Sequence, residues 1–353
     1  MNMAVLKPEE HERMVMESVR FAKEEAKRRQ QAPVQIKAEE IRAQFETNSH
    51  LYLVDPRLGF NHRTFRFWIN RIPAGEEEGM GWKTLGHRHT VEAVLHVLQG
   101  TGHSIVDGAR YDWAPGDFIS VPMFSWHRHV NTGDEDFIYL AATTGPLSLS
   151  LGLAVYEDER YPDYWVFGHK SESAMKSLIP GADDSTRVRT AEEASREPLS
   201  PTDAYYRQHL LFSGGEEKRR RQSRVLVKGA QVDFEKTAMG RVRYVIDPRT
   251  GFLMRVLGTL LAEISPGKRS GAHRHMYEEV NYVLSGRGYS LIEDRRYDWA
   301  AGDVLCIPVF GWHQHFNTGE EPARLLVHHN RPLMENLGFM HVEQGEEAEE
   351  ESL

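Results

Sequence analysis

Two sets of side chains in this 353-residue chain have the types and spacing to hold a metal ion. The first is His87, His89 and His127. The second is His273, His275, Glu279 and His313. On a β-strand alternate residues share a face, so each His-x-His pair presents two imidazoles in one direction. Glu279 has the same parity as its pair and adds a carboxylate. Neutral imidazole nitrogen with carboxylate oxygen suits Fe(II), Mn(II), Ni(II) or Zn(II) better than Ca or Mg. The first set has Ala93 where the second has Glu279; Glu92 does not replace it, because it aligns with Glu278 and by strand parity would point to the other face. Three protein ligands on a six-coordinate ion leave three open positions, enough for a chelating substrate and O2. Four ligands leave only two.

The elements that must position these groups are duplicated. His87–Asp134 aligns without gaps to His273–Glu320, and about half the paired positions are identical. Upstream, VDPRLGF (54–60) matches IDPRTGF (246–252), and the first copy carries about six extra residues between the anchors, in GEEEGMGWKTLG. Each copy shows short apolar or alternating runs between glycine-rich turns, such as FRFWINRI and VEAVLHVL, or LGTLLAEI and VNYVLSG. That pattern predicts a β-sandwich or small barrel. Residues 8–47 predict one or two helices broken near Pro33, with Met14, Val15, Val19 and Phe21 at helical intervals. The expected organisation is a helical segment over 1–50, domains over 51–165 and 226–335, a connector over 166–225 and an acidic tail over 336–353. The EEKRRRQSR run in the connector reads as a solvated or partner-facing loop, and EQGEEAEEESL as disordered.

Composition narrows the function classes. Lys and Arg total 43 against 52 Asp and Glu, a net charge of −9. This argues against nucleic acid or an anionic membrane as partner. No apolar run approaches a membrane span, and MNMAVLKPEEHERMV lacks the apolar stretch of a secretory signal. Cys306 is the single cysteine, so a reducing, cytoplasmic setting is expected.

The pattern H-x-H-x3-E-x6-G, then G-x5-P-x4-H-x3-N, resembles the two motifs of the cupin superfamily. Here it reads His273, His275, Glu279, Gly286, then Gly302, Pro308, His313, Asn317; the first copy reads His87, His89, Ala93, Gly100, then Gly116, Pro122, His127, Asn131. Phe124 and Phe310 stand where the second motif usually has glycine. The resemblance implies a mainly β bicupin, two double-stranded β-helix (jelly-roll) barrels after an N-terminal helical segment.

The three-histidine arrangement, HRHT (87–90) followed by WHRHVN (126–131), is similar to the gentisate 1,2-dioxygenase family, which includes salicylate and 1-hydroxy-2-naphthoate dioxygenases. That resemblance implies Fe(II) on His87, His89 and His127, with one or two metals per chain. It implies a small hydroxylated aromatic acid and O2 as substrates, extradiol-type ring cleavage, and a homo-oligomer, dimer or tetramer. It makes His129 the catalytic residue that contacts substrate, and strand parity puts His129 on the face of His127. The family binds its acid partly through the strand before the HxH pair. Aligning FRFWINRI on the second copy, with Glu263 facing solvent and Leu260 and Ala262 the barrel, turns Arg66, Trp68 and Asn70 inward. Arg66 suits a carboxylate, Trp68 a ring and Asn70 a hydroxyl. Two alternatives stay open: a two-metal bicupin of the oxalate decarboxylase type, and a non-catalytic metal-containing binding protein. At His273, His275, Glu279 and His313 the metal could be Fe(II), Mn(II), Ni(II) or Zn(II).

Overall fold

A computed structural model describes residues 7–76, 81–164, 192–193 and 195–349. Helix α1 (Pro8–Gln31) leads into strand β1 (Gln35–Ile36) and helix α2 (Ala38–Phe45). The first repeat then runs β2 (His50–Val54), β3 (Arg66–Ile72), β4 (His87–His89), β5 (Ala93–Gln99), β6 (Gly102–Val106), β7 (Ala109–Trp113), β8 (Phe118–Val121), β9 (His127–Asn131), β10 (Phe137–Thr143), α3 (Gly145–Ser150) and β11 (Tyr156–Asp158). Helix α4 (Pro201–Gln222) and β12 (Leu226–Val227) link it to the second. There follow β13 (Glu235–Thr237), β14 (Gly240–Ile246), β15 (Gly258–Ile264), β16 (His273–His275), β17 (Glu279–Ser285), β18 (Arg287–Ile292), β19 (Arg295–Ala300), β20 (Val304–Ile307), β21 (His313–Asn317), β22 (Ala323–His329), α5 (Arg331–Leu337) and β23 (Val342–Gln344). Among the described residues no helix is long and apolar enough to cross a membrane.

Four antiparallel sheets build two barrels among the described residues. The first pairs the order β12-β8-β5-β10-β3-β2 with β11-β4-β9-β6-β7; the second pairs β1-β20-β17-β22-β15-β14-β13 with β19-β18-β21-β16-β23. Alternation along the strands divides each wall. Val94, Leu140 and Phe67 turn towards the other barrel and meet Met254, Leu257 and Leu326 in one shared core. Leu95, Val97 and Ala141 turn inward around their own barrel.

The two repeats exchange edges. An open sheet edge exposes unpaired N–H and C=O groups, and each barrel covers its own with a strand that precedes the other barrel. Gln35 pairs with Leu305 and Ile36 with Val304, while Leu226 pairs with Ile119 and Val227 with Phe118. Residues 226–227, expected at the head of the second domain, therefore belong to the first barrel's sheet, and residues 35–36 of the helical segment belong to the second's. The Asp of each YDWxxGD stretch anchors the exchange. Asp303 accepts from the Ala38 amide at 2.7 Å, and Asp117 from the Gly229 amide at 2.9 Å and Lys228 Nζ at 2.7 Å.

A second reciprocal tie crosses the interface. Glu92, fully buried, accepts backbone N–H bonds from Arg255, Val256 and Leu257, the last two at 3.0 Å. Its counterpart Glu278 accepts from the Arg63 and Thr64 amides at 2.6 and 3.1 Å. The opposite-face reading of these carboxylates matches their role as rivets between barrels.

Several expectations change. Much of the connector lies outside the described residues, as do 77–80 of the extra loop and 350–353 of the tail. The KRRRQ part of the basic run is helical, on α4, rather than loop, with Arg220 paired to Asp107 at 3.0 Å. The tail is ordered through Glu349, because β23 pairs with the histidine strand β16 and Glu343 pairs with Arg274 at 2.6 Å. Its equivalent in the first barrel is β11, where Glu157 pairs with buried Arg88 at 2.6 Å. Glu263 does not face solvent; it is 8% exposed and is covered by Arg241 and Arg324. Phe124 and Phe310 adopt φ of 64° and 61°, the left-handed turn for which glycine is usual. That conformation costs a bulky residue about 1–2 kcal/mol. The rings stack under Arg88 and Arg274 at 4.1 and 4.2 Å, which offsets part of it.

Glu92→Ala strands three amide donors at the interface and is expected to lower stability by roughly 2–5 kcal/mol. Urea unfolding followed by circular dichroism measures this, and an unchanged midpoint would refute the rivet.

Candidate metal centre and substrate cavity

The first histidine set comes together. β4 carries His87 and His89, and β9 sets His127 directly opposite His87. Ring centroids are 4.2 Å apart for His87 and His127, and 4.8 Å for His89 and His127. One nitrogen from each of the three lies within 4.8 Å of the others. His89 Nδ1 lies 2.8 Å from the Val91 carbonyl and His127 Nδ1 2.8 Å from that of Ser125. A carbonyl can only accept, so each Nδ1 carries the proton and each Nε2 presents a lone pair. Burial disfavours the imidazolium: it holds His87 and His127 well below the usual histidine range and His89 at about 4. All three are therefore neutral near pH 7, the state a metal ligand requires.

Beside them opens a cavity of about 360 Å³. Ala93 lines it at the position of the second copy's Glu279. Arg66, Trp68 and His129 line it as well, as their parity predicts. Arg66 reaches across to Thr143 Oγ1 on β10 at 3.4 Å, with its guanidinium 5.2 Å from the Tyr52 ring and 5.3 Å from Trp68. Gly145 makes room for it, because a Cβ there would stand 2.9 Å from Arg66 Nη2. Asn70 differs from expectation. It is not on the cavity wall but one layer behind, donating to the Tyr139 hydroxyl at 2.7 Å and lying 3.3 Å from His50 Nδ1. Each step along β3 carries its side chain further from the metal end, so Asn70 supports the wall that Tyr139 forms.

His129 is held by a chain of hydrogen bonds. Trp113 Nε1 donates to Ser104 Oγ at 3.0 Å, and Ser104 Oγ is 2.7 Å from His129 Nδ1. The serine uses its single proton if it donates to Nδ1, which places the imidazole proton on Nε2. Burial and then the neighbouring His89 lower His129 to about 4, so it is a neutral donor near pH 7.

Sequence reasoning did not find Tyr52, Tyr139, Leu149, Val155 or Tyr156, which complete the wall. Tyr156 had a signal: β11 lies as far from β4 as β23 lies from β16, so the repeat extends beyond the aligned block.

The second set also converges, with more side chains packed around it. His273 Nε2 lies 3.1 Å from His313 Nε2, and His275 Nε2 3.2 Å from Glu279 Oε2. Tyr277, at the position of Val91, stacks on His275 with centroids 3.5 Å apart. His329, at the position of Thr143, fills the space that Arg66 uses in the first barrel; a Cβ on Gly258 would meet it at 2.3 Å. His315, counterpart of His129, keeps the same chain through Ser290 and Trp299.

The comparisons agree with this architecture. A family model described as "Cupin domain" matches residues 71–143 and again 260–329. With two such barrels and two ligand sets, the chain is a bicupin and belongs to the cupin superfamily. Within it, the chain is similar to a 1-hydroxy-2-naphthoate 1,2-dioxygenase of Nocardioides sp. (strain KP7), 29% identical over 73% of this chain and 62% of that one. It is also similar to a 5-aminosalicylate 1,2-dioxygenase of Comamonas sp., 25% identical over 72% of this chain and 63% of that one. It thus matches less than two thirds of these relatives' length. Among solved structures, a salicylate 1,2-dioxygenase from Pseudaminobacter salicylatoxidans shares the fold, with a TM-score of 0.60 at 18% identity over 89% of this chain and 88% of that one.

Metal analysis of the protein expressed with iron is expected to give two equivalents per chain. His127→Ala and His313→Ala should each remove one. Loss of both equivalents from either single variant would contradict two independent sites.

Proposed function

We propose that this chain is a non-haem Fe(II)-dependent dioxygenase that opens the ring of a hydroxylated aromatic carboxylic acid of the gentisate or salicylate type. The observation that carries this reading is the asymmetry of the two centres: three convergent imidazoles beside a cavity in one barrel, and in the other a carboxylate, Glu279, added to the histidines with Tyr277 stacked on His275. The names of the relatives point to the same reaction class.

The donor set fits iron. Three neutral imidazoles with lone pairs aimed at one point match the nitrogen-rich sites of non-haem iron proteins, and Ala93 leaves a side of the ion open. His87, His89 and His127 would hold it, and the ion would supply the electron traffic between substrate and O2 that a closed-shell side chain lacks. In the overall reaction the bond between the carboxyl-bearing carbon and its hydroxylated neighbour breaks in the extradiol manner, and both atoms of O2 enter the product.

The chain's own residues do the rest. Arg66 pairs with the substrate carboxylate through its two Nη groups and fixes its direction. Trp68 and Tyr52 give the ring aromatic neighbours. Val91, Leu95, Ala141 and Val155 exclude water from the reacting face, which strengthens every charge interaction inside. His129 offers its Nε2 proton to a substrate oxygen and can return it as charge shifts during ring opening. A cavity of about 360 Å³ lies within the range of small-ligand sites and accommodates an acid of one or two rings.

The second centre, His273, His275, Glu279 and His313, holds a metal in a structural role, with Fe(II), Mn(II), Ni(II) or Zn(II) all compatible with its donors. An oxalate decarboxylase type of reaction there would have to take place beside Tyr277, stacked on His275, and His329, packed against Gly258. The lone thiol, Cys306, is buried and free, in keeping with a cytoplasmic setting. We further assign the enzyme to a homo-oligomer, dimer or tetramer, to be tested by light scattering.

The test is O2 uptake after anaerobic Fe(II) loading, with gentisate, salicylate, substituted salicylates and 1-hydroxy-2-naphthoate as substrates. His127→Ala should abolish uptake and His313→Ala should retain it. Tight binding of the acid without O2 use would favour the non-catalytic alternative, and activity lost only in His313→Ala the decarboxylase type. Arg66→Ala is expected to raise KM roughly 10–100-fold, the size of a charge-assisted bidentate contact. Ser104→Ala should lower kcat more than it raises KM and leave the iron content unchanged.

A further inference from the structure

Five of the six histidines in the two centres are oriented in the same way. His89, His127, His273, His275 and His313 each place Nδ1 against a backbone carbonyl, those of Val91, Ser125, Gly271, Tyr277 and Gly311. His87 is the exception. Its Nδ1 is buried and has no hydrogen-bond partner among the described residues. Its counterpart His273 has the Gly271 carbonyl at 3.2 Å.

Aromatic rings hold His87 instead. Trp82 stacks on it with centroids 4.6 Å apart at 27°, and Tyr156 at 5.3 Å and 28°. Trp82 is 5% exposed and comes from the segment that is longer in the first repeat. Tyr156 comes from β11. Both rings are tied to one carboxylate: Trp82 Nε1 donates to Asp158 Oδ2 at 3.1 Å and the Tyr156 hydroxyl at 3.3 Å. Arg160 fixes that carboxylate through its amide and Nε at 2.9 Å and Nη2 at 2.6 Å. Burial alone would raise Asp158, but the bonds from Arg160 and Trp82 prevail and lower it to about 2, so it is ionised throughout the neutral range. The second barrel has Val342 for Tyr156 and Gln344 for Asp158, and retains the carbonyl.

A carbonyl on Nδ1 fixes tautomer and ring direction at once. Stacked rings fix the plane of the imidazole and must be fixed themselves. Tyr156 is also 55% exposed and lines the substrate cavity, so the group that holds a ligand faces the substrate. We propose that Trp82, Tyr156 and Asp158 form an aromatic clamp that positions His87 for its metal, and that an aromatic acid in the cavity tightens the clamp and slows metal loss. This rests on the reading of the first centre as a metal site beside an aromatic-acid cavity. The six extra residues of the first repeat then have a use: they deliver Trp82.

The test needs no turnover. In a His313→Ala background, which silences the second centre, the protein is loaded anaerobically with Co(II). Its visible spectrum reports the ligand field, and a chelator gives the dissociation rate with and without salicylate. Trp82→Ala should weaken Co(II) binding roughly 10–100-fold, the usual effect of losing a group that orients a ligand. Trp82→Phe should restore most of it, and Asp158→Asn should alter the spectrum. Salicylate should slow Co(II) release from the parent and lose that effect in Tyr156→Ala. Melting temperatures identify any variant that has lost its fold, in which case Trp82→Phe and Tyr156→Phe carry the decision. Co(II) affinity unchanged by Trp82→Ala, or release indifferent to salicylate in the parent, overturns the clamp while leaving the metal site standing. No Co(II) binding by the parent would overturn both.

Discussion

Three convergent imidazoles, two of them buried, are the constraint around which this protein is organised. Burial removes their charge, and carbonyls at Val91 and Ser125 remove the choice of tautomer for two of them. The nitrogen lone pairs that remain repel one another unless a cation sits between them. A divalent ion would resolve that conflict, and its binding energy would offset the cost of assembling the site. The strand register that places His127 opposite His87, and the turn at Phe124 whose amide donates to the His89 carbonyl, serve this arrangement.

The duplicated barrel shows how few residues separate a three-histidine centre beside a cavity from one with an added carboxylate. Ala93 faces Glu279, Val91 faces Tyr277, and Thr143 faces His329 across the repeat. Arg66 beside Gly145 is exchanged for Gly258 beside His329, with Arg331 at the glycine's position. Each exchange fills volume or adds a ligand in the second barrel. That barrel instead gives mechanical support, through the traded edge strands and the paired rivets of Glu92 and Glu278. The first histidine set is thereby built on strands rather than on loops, which keeps its geometry narrow.

Much of this was readable from residue order. Period-two alternation and the internal repeat located both ligand sets, the inward faces of Arg66 and Trp68, and the parity of His129. What escaped was set by contacts between distant segments. Asn70 has the right parity but the wrong height on its strand, and height depends on sheet twist. The edge exchange had a faint trace in VQIKA (34–38) against VLVKG (225–229), too short to stand alone. The acidic tail looked disordered on composition, yet Glu343, Glu346 and Glu349 meet Arg274 and Arg269. Trp82 and Asp158 were silent because nothing in their neighbours announces that they meet over His87.

The central claim is that the first barrel, and not the second, presents an iron ion to an aromatic acid. Crystals loaded with Fe(II) and soaked anaerobically with salicylate, measured at the iron absorption edge, test it most directly. The account predicts an anomalous peak among the Nε2 atoms of His87, His89 and His127, with the acid's carboxylate turned to Arg66 and its ring beside Trp68. A first centre without iron, or salicylate bound at His273, His275 and His313 instead, would contradict it.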